Sequence, residues 1–127
     1  MPNSSFAGAE NYQPIIKAKA AAYTATVAES GTIFTNRGGT AVIAFTLPAV
    51  AGIPIGVNYT FYNVNNAGMS VNSNGSLDNI VTKNDATADS ITCSTNSLAI
   101  GAAVHVIWDG TAWLSFNMSV GPTYTVA

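Results

Sequence analysis

The sequence has very little charge: four lysines and arginines and six aspartates and glutamates among 127 residues. A domain that diffuses freely usually carries charge on about a quarter of its residues, which keeps it soluble and keeps like molecules apart. Here 48% of the residues are hydrophobic, and much of the remainder is uncharged serine, threonine and asparagine. We therefore expect the folded chain to be covered by neighbours in an assembly, which argues against a free enzyme.

Basic residues and long apolar runs are also scarce. The basic residues are Lys17, Lys19, Arg37 and Lys83, and the net charge is −2, so the chain cannot neutralise a run of phosphates and nucleic acid is excluded as a partner. No apolar run reaches the roughly 20 residues of a bilayer crossing. The first ten residues lack the charged-then-apolar layout of a secretory signal, and we expect a protein that is made and used without crossing a membrane.

Cysteine and histidine each occur once. Cys93 alone excludes an intrachain disulfide, and its place in an alternating run predicts a small buried side chain. A hydrolase would need His105, but Asp109 on the same strand would lie about 13 Å away at ~3.3 Å per residue, too far to orient the imidazole. Ser115 facing it across a hairpin would give only a surface hydrogen bond. We predict no catalytic residue.

Cofactor and metal motifs are missing as well. There is no glycine-rich nucleotide loop, no His-Glu-x-x-His and no cysteine pair for zinc. Asp78, Asp85 and Asp89 invite a calcium interpretation, with Asn79 and Asn84 as further oxygen donors. Their spacing matches no calcium loop, so we interpret them as solvated turn residues and predict no metal and no cofactor.

The sequence does contain many short runs rich in threonine, valine, isoleucine and aromatic residues. Glycine, asparagine, aspartate or proline interrupts them about every 8 to 12 residues, which is typical of an antiparallel sandwich. We predict an all-β fold: a single antiparallel β-sandwich, jelly-roll-like, over residues 21–118. The predicted strands are 23–27, 32–35, 42–47, 57–64, 69–73, 90–94, 103–109 and 112–118, with a weaker one at 124–126 and a short one at 80–82 inside a long connection.

The last hairpin allows a prediction of register. An odd turn, such as residues 109–111, puts the apolar side chains of both strands on one face. These side chains are Val104, Val106, Trp108, Leu114, Phe116 and Met118. A two-residue turn would instead put Ser115 and Asn117 on that face, where each would need a buried partner. We therefore predict the odd turn.

The two ends of the chain differ from the body. Residues 1–20 hold two prolines and scattered apolar residues without a sustained period, so we predict an extended N-terminal arm that packs back on the body or meets a partner. Residues 119–127 form a C-terminal tail, which can act as an added strand on a neighbour's open sheet edge. In the body, Trp113 with Tyr59 or Tyr62 suggests either a sugar-stacking platform or packing in the core or at an oligomer seam.

Two stretches, residues 28–63 and 97–113, carry recurrent elements that together cover nearly the whole body. They are a Gly-x-x-Phe-Thr-Asn strand (31–36), a Phe-x-Leu-Pro stretch with its glycine at 52, one place early, a Tyr-x-Phe strand (59–61) and a closing Trp-Asp-Gly-x-x-Trp hairpin (108–113). In these elements the chain resembles a β-sandwich module of tailed-bacteriophage virion proteins, especially head decoration or cement proteins and some tail-fibre segments.

The resemblance implies an adhesive on the outside of the capsid that resists the pressure of packaged DNA. We therefore expect a capsid decoration protein, made in the host cytoplasm, that binds the major capsid protein and its own copies as a homotrimer or homodimer. The alternative is a receptor- or glycan-binding module of a tail fibre or spike. The predicted partner contacts are Phe6, Tyr12, Ile15, Ile16, Lys17, Lys19, Trp113, Tyr124 and Val126. We expect the two lysines among them to face an acidic capsid shell.

Overall fold

A computed structural model describes residues 13–75, 77–93, 99–117 and 124–126, the last of these for the backbone alone. The strands are β1 (Ile16–Ala18), β2 (Tyr23–Thr24), β3 (Ile33–Thr35), β4 (Ile43–Thr46), β5 (Asn58–Tyr62), β6 (Met69–Asn72), β7 (Ile80–Thr82), β8 (Asp85–Ala88), β9 (Ser90–Cys93), β10 (Ala103–Trp108), β11 (Trp113–Asn117) and β12 (Tyr124–Val126). One turn of 3₁₀ helix, Val27–Glu29, lies between β2 and β3. None of the described segments forms a helix with the length and apolarity of a bilayer crossing.

The strands form two sheets. One sheet has seven strands in the order β1-β3-β5-β10-β11-β7-β8, and the other has five in the order β12-β9-β6-β4-β2. The predicted all-β class is confirmed. The β-branched and aromatic runs become strands because their side chains pack well on a pleated surface, and the glycine- and asparagine-rich segments between them form the turns.

The strand pairing is mixed, so the prediction of a purely antiparallel arrangement is wrong. Among the described strands, five pairs are parallel and five are antiparallel. From β1 to β6 the chain passes from one sheet to the other after every strand. Neighbours in one sheet are therefore two strands apart in sequence and run in the same direction, as in a coil wound around a common core.

Both sheets contribute side chains to one hydrophobic core. Phe34 and Phe61, from neighbouring strands of the seven-stranded sheet, stack with their ring centroids 5.6 Å apart. Phe45 of the five-stranded sheet meets Phe61 at 5.1 Å. Cys93 is buried, as predicted, and burial raises the pKa of its thiol to about 11. The inward side chains of the seven-stranded sheet therefore pack in this core, and the side chains on its other side face outward.

The last hairpin has a different register from the predicted one. Trp108 pairs with Trp113, so the loop holds four residues, 109–112. The Asp109 carboxylate fixes that loop because it accepts hydrogen bonds from the backbone N–H groups of Thr111 and Ala112, at 2.7 and 2.8 Å. These bonds hold the pKa of Asp109 below its ordinary value. The odd turn is therefore wrong, and each side chain of β11 lies on the opposite face from the prediction.

A buried asparagine network joins three loops beside the core. The side-chain amide of Asn36 donates to Asn63 Oδ1 at 2.6 Å and to the Gly68 carbonyl at 2.9 Å. Asn36 Oδ1 accepts from the Val64 backbone at 2.8 Å, and the Asn63 amide donates to the Ala99 carbonyl at 2.8 Å. Buried polar groups of this kind are stable only when they are paired, so we assign the network a structural role.

Candidate functional site

The outward side of the seven-stranded sheet is the candidate functional surface. Side chains alternate between the two faces of a strand, and the register puts Ile33, Thr60, His105 and Phe116 in one row across β3, β5, β10 and β11. Ile16 of β1 extends the same row. We use the name outer face for the outward-pointing side chains of these five strands.

The outer face combines aliphatic and aromatic side chains with uncharged polar ones: two threonines, an asparagine and a histidine. Ile16, Tyr62 and Phe116 are exposed by 64%, 41% and 50%, and Ile33 and Ile107 are half-buried between them. No outward position of β1, β3, β5, β10 or β11 carries an acidic residue, a lysine or an arginine. Contiguous exposed apolar patches on a protein surface mark interaction sites more often than single exposed side chains do.

His105 lies in the middle of the outer face. Its Nδ1 is 2.7 Å from the hydroxyl of Thr60, and its ring lies beside Phe116 with centroids 6.2 Å apart. Partial burial lowers the pKa of the imidazole, which favours the neutral form at pH 7. The outer face therefore presents no net charge at neutral pH.

Ser115 is not the partner of His105 that the sequence suggested. The register pairs His105 with Phe116, and the Ser115 hydroxyl donates to the Val81 carbonyl of β7 at 2.6 Å. The prediction of an odd turn assumed that a buried Ser115 hydroxyl would lack a partner, and this hydrogen bond supplies one. The Asp109 carboxylate, four residues further along, bonds within the hairpin loop, so neither Ser115 nor Asp109 contacts the imidazole in the arrangement considered from the sequence.

The last residues of the predicted N-terminal arm form the edge strand β1. Ile15 is exposed by 62%, and Ile16, a member of the outer face, by 64%. Lys17 points to the other side, where its ammonium donates to Glu29 at 2.6 Å. Of these predicted partner contacts, Ile15 and Ile16 are therefore accessible to a partner, whereas Lys17 is paired within its own chain.

Glu29 is the centre of a polar cluster that ties β1 to the body. The Tyr23 hydroxyl lies 2.8 Å from both carboxylate oxygens, and Thr26 donates to Oε1 from its backbone and its hydroxyl at 3.0 Å. Burial opposes ionisation of the carboxylate, but the hydrogen bonds from Lys17, Tyr23 and Thr26 outweigh it and lower its pKa from 4.5 to about 2. Lys19, the other arm lysine, lies 3.7 Å from the centroid of the Tyr23 ring.

Acid should release this tether. Because the folded pKa of Glu29 lies below the unfolded one, its ionised form stabilises the fold above about pH 4.5, and that stabilisation is lost as the pH falls toward 2. We expect Glu29→Gln to lower the free energy of unfolding at pH 7 by on the order of 1 to 3 kcal/mol. It should also flatten the loss of stability in acid, measured by urea unfolding over a pH series. The exposed Asp89→Asn serves as the control, and curves for Glu29→Gln and the wild type that fall in parallel would contradict the assignment.

Trp113 is buried completely and cannot contact a partner from this fold. Its ring packs against Trp108 and Tyr59, with centroids 5.5 and 6.1 Å away, and its indole N–H has no hydrogen-bond partner. Tyr59 is also buried, and its hydroxyl donates to the Thr26 carbonyl at 2.6 Å. Of the three aromatics considered for a sugar platform, Tyr62 alone is exposed, so the core-packing alternative holds for Trp113.

The remaining predicted contacts lie at the two ends. Phe6 and Tyr12 lie outside the described residues. Tyr124 and Val126 belong to β12, which pairs with β9 of the same chain, so this strand extends its own five-stranded sheet in the structure. Within the described part of the chain, no three acidic, histidine or cysteine side chains gather as a metal-binding group.

Sequence reasoning found Ile16 but missed the two exposed aromatic members of the outer face, Phe116 and Tyr62. Phe116 was assigned to the core because the hairpin register was wrong, and Tyr62 was considered only as a partner of Trp113. A usable signal was the alternation in β5, where Asn58, Thr60 and Tyr62 share one side. That side lacks charge and carries an aromatic residue.

A scan against models of known protein families found no match, and a search of curated protein sequences found none.

Proposed function

We propose that this chain is a capsid decoration or cement protein of a tailed phage, which binds the outside of the major capsid shell through its outer face. The observation that carries the proposal is the absence of lysine, arginine and acidic side chains from an exposed apolar sheet face. A freely diffusing protein gains nothing from such a face, whereas an adhesive protein buries it. The two sheets, which share one core, fit a single sandwich, although half of the pairs among the described strands are parallel, unlike those of a jelly roll.

The size of the outer face suits a protein present in many copies. Five strands about 4.8 Å apart and roughly five residues long cover about 300–400 Å². A stable protein interface buries about 800 Å² on each partner. A single outer face would therefore bind the capsid weakly. Firm attachment needs additional contacts from the N-terminal arm, or several joined copies that bind together and so increase the avidity.

The chemistry of the outer face predicts how the attachment responds to salt. Apolar burial persists in salt, whereas contacts between exposed charges are screened within about 3 Å at 1 M ionic strength. Attachment through Lys17 and Lys19 to an acidic shell would therefore weaken in salt, and attachment through the outer face would not. The internal contacts of both lysines, to Glu29 and to the Tyr23 ring, favour the second mode.

The test uses heads of the phage that encodes this chain, prepared with and without the protein. We expect the purified protein to co-sediment with the heads that lack it, to remain bound at about 1 M salt, and to raise the temperature at which the heads release DNA. Electron cryo-microscopy should then show added density on the outer surface. Absence of binding, or release in salt, would contradict the proposal.

The second candidate is a glycan-binding module of a tail fibre or spike. The exposed ring of Tyr62 lies on the same side of β5 as Thr60, with Asn58 further along the strand, and an aromatic face close to polar groups suits sugar stacking. Binding to a glycan array that Tyr62→Ala abolishes, together with no binding to heads, would favour this candidate over the first.

A further inference from the structure

Strand β1 leaves hydrogen-bonding groups open at one edge of the seven-stranded sheet. It pairs with β3 on one side, where the Ile15 carbonyl accepts from Ile33 and the Lys19 N–H donates to Thr35, both at 2.9 Å. Backbone groups alternate along a strand, so the N–H and C=O groups of Ile16 and Ala18 point away from β3. Among the described strands none lies on that side.

Apart from its length of only three residues, β1 carries none of the features that normally protect an edge strand. Natural edges carry charged side chains, prolines or bulges that prevent pairing with another chain. In β1 the one charged residue, Lys17, points to the inner side and is bound by Glu29. The two exposed side chains, Ile16 and Ala18, are uncharged.

The opposite edge of the same sheet has that protection. Strand β8 begins at Asp85, follows Lys83 and precedes Asp89, and its pairing with β7 is irregular between Ile80 and Thr82. Charges and broken register together discourage another strand from adding there.

Pro14 and Lys19 flank β1 in a similar way, but Lys19 lies over the Tyr23 ring. Within β1 the register with β3 is regular and neither outward side chain is charged. The contrast in register and in outward charge favours β1 as the edge at which another strand pairs.

We propose that β1 is the edge at which two copies of this chain join, strand against antiparallel strand. A two-fold axis normal to the sheet places Ile16 of one copy opposite Ala18 of the other, and both residues offer their N–H and C=O groups outward. The two Lys17 ammonium groups come near each other, but each is paired with its own Glu29. With a net charge of only −2 on each copy, repulsion between the copies is weak.

A second copy suits this edge better than a foreign strand. A foreign strand would be selected by side-chain pockets or charges, and β1 offers backbone groups beside small and aliphatic side chains. Pairing two β1 strands also continues one sheet across both copies and sets their outer faces side by side on the same side. The joined surface is about twice the area of one outer face, which approaches the area of a stable interface.

The test measures the association of the purified protein by sedimentation velocity over a concentration series, so it does not depend on capsid binding. Ala18→Pro removes an outward N–H and leaves the bonds to β3 in place, since proline is tolerated at the open side of an edge strand. Ile16→Lys places a charge on the edge without burying it. Ile55→Lys, at an isoleucine that is 75% exposed and lies outside the strands, is the matched control.

We expect the wild type and Ile55→Lys to form dimers, and both β1 variants to dissociate at least tenfold more readily. Circular dichroism should show the same β-rich spectrum for all four proteins. A wild type that stays monomeric at every concentration, a wild type that forms trimers, or β1 variants that dimerise as well as Ile55→Lys would each overturn the proposal.

Discussion

Replacing Phe34 by alanine should lower the free energy of unfolding by about 3–5 kcal/mol, the usual cost of removing a large aromatic side chain from a packed core. Phe34 has no exposed surface. Its ring lies between those of Tyr23, Phe45, Tyr59 and Phe61, with centroids 5.6 to 6.0 Å away. No neighbouring side chain can fill the space without leaving its own contacts, so the cavity should persist.

Urea unfolding followed by tryptophan fluorescence measures this loss. Phe34→Leu, which keeps most of the volume, should lose clearly less than Phe34→Ala. Ile55→Ala should change stability by no more than about 0.5 kcal/mol, as is usual for a surface site. A loss below about 1 kcal/mol for Phe34→Ala would show that the two sheets are not held together by this aromatic cluster.

The double variant Tyr62→Lys with Phe116→Lys should lose binding to phage heads by more than a hundredfold. Burying a large aromatic side chain contributes about 1.5–3 kcal/mol, and a hundredfold loss corresponds to about 2.8 kcal/mol. Both rings are substantially exposed on the outer face. Each introduced lysine also carries a charge, and burying that charge against the capsid would cost additional free energy.

The control for this variant changes two other exposed apolar residues to lysine. Val42 and Ile55, exposed by 47% and 75%, lie outside the outer face, so Val42→Lys with Ile55→Lys adds the same charge elsewhere. We expect this control to bind heads as the wild type does, and both double variants to keep the wild-type unfolding midpoint within a few tenths of a molar in urea. Equal loss of binding in both variants would point to total charge as the cause.

Much of the strand content could be predicted from local sequence. The runs that became β3, β4, β5, β6, β9, β10 and β11 all contain β-branched or aromatic residues in alternation, bounded by glycine, asparagine or aspartate. Such a pattern is local, because it reflects a half-buried pleated surface. The β7–β8 hairpin was only half predicted, since its turn relies on Asn84 with φ of 67° and β8 itself has little apolar alternation.

The pairing of strands could not be predicted in the same way. Whether the chain crosses to the other sheet after each strand depends on packing between distant segments, and no local pattern records it. The hairpin register failed for a related reason. Ser115 is satisfied by the Val81 carbonyl of β7, a partner that sequence reasoning about two strands does not contain.

The candidate site was predicted in part. Ile15 and Ile16 were predicted contacts because apolar residues in an extended arm must pack on the body or meet a partner, and the structure exposes both. Lys17 was predicted to contact an acidic capsid shell, but its ammonium group is paired with the carboxylate of Glu29 in the same chain. That pair depends on β1 packing back on the body, one of the two alternatives for the arm, and the sequence alone does not identify Glu29 as the partner of Lys17.

The most direct measurement of the central claim is hydroxyl-radical footprinting of the protein, free and bound to heads. The account predicts that Tyr62 and Phe116 become protected from oxidation on binding, while Ile55 reacts as it does in the free protein. Protection of Ile55 with Tyr62 and Phe116 left reactive would contradict the account, because the outer face would then remain in water on the assembled particle.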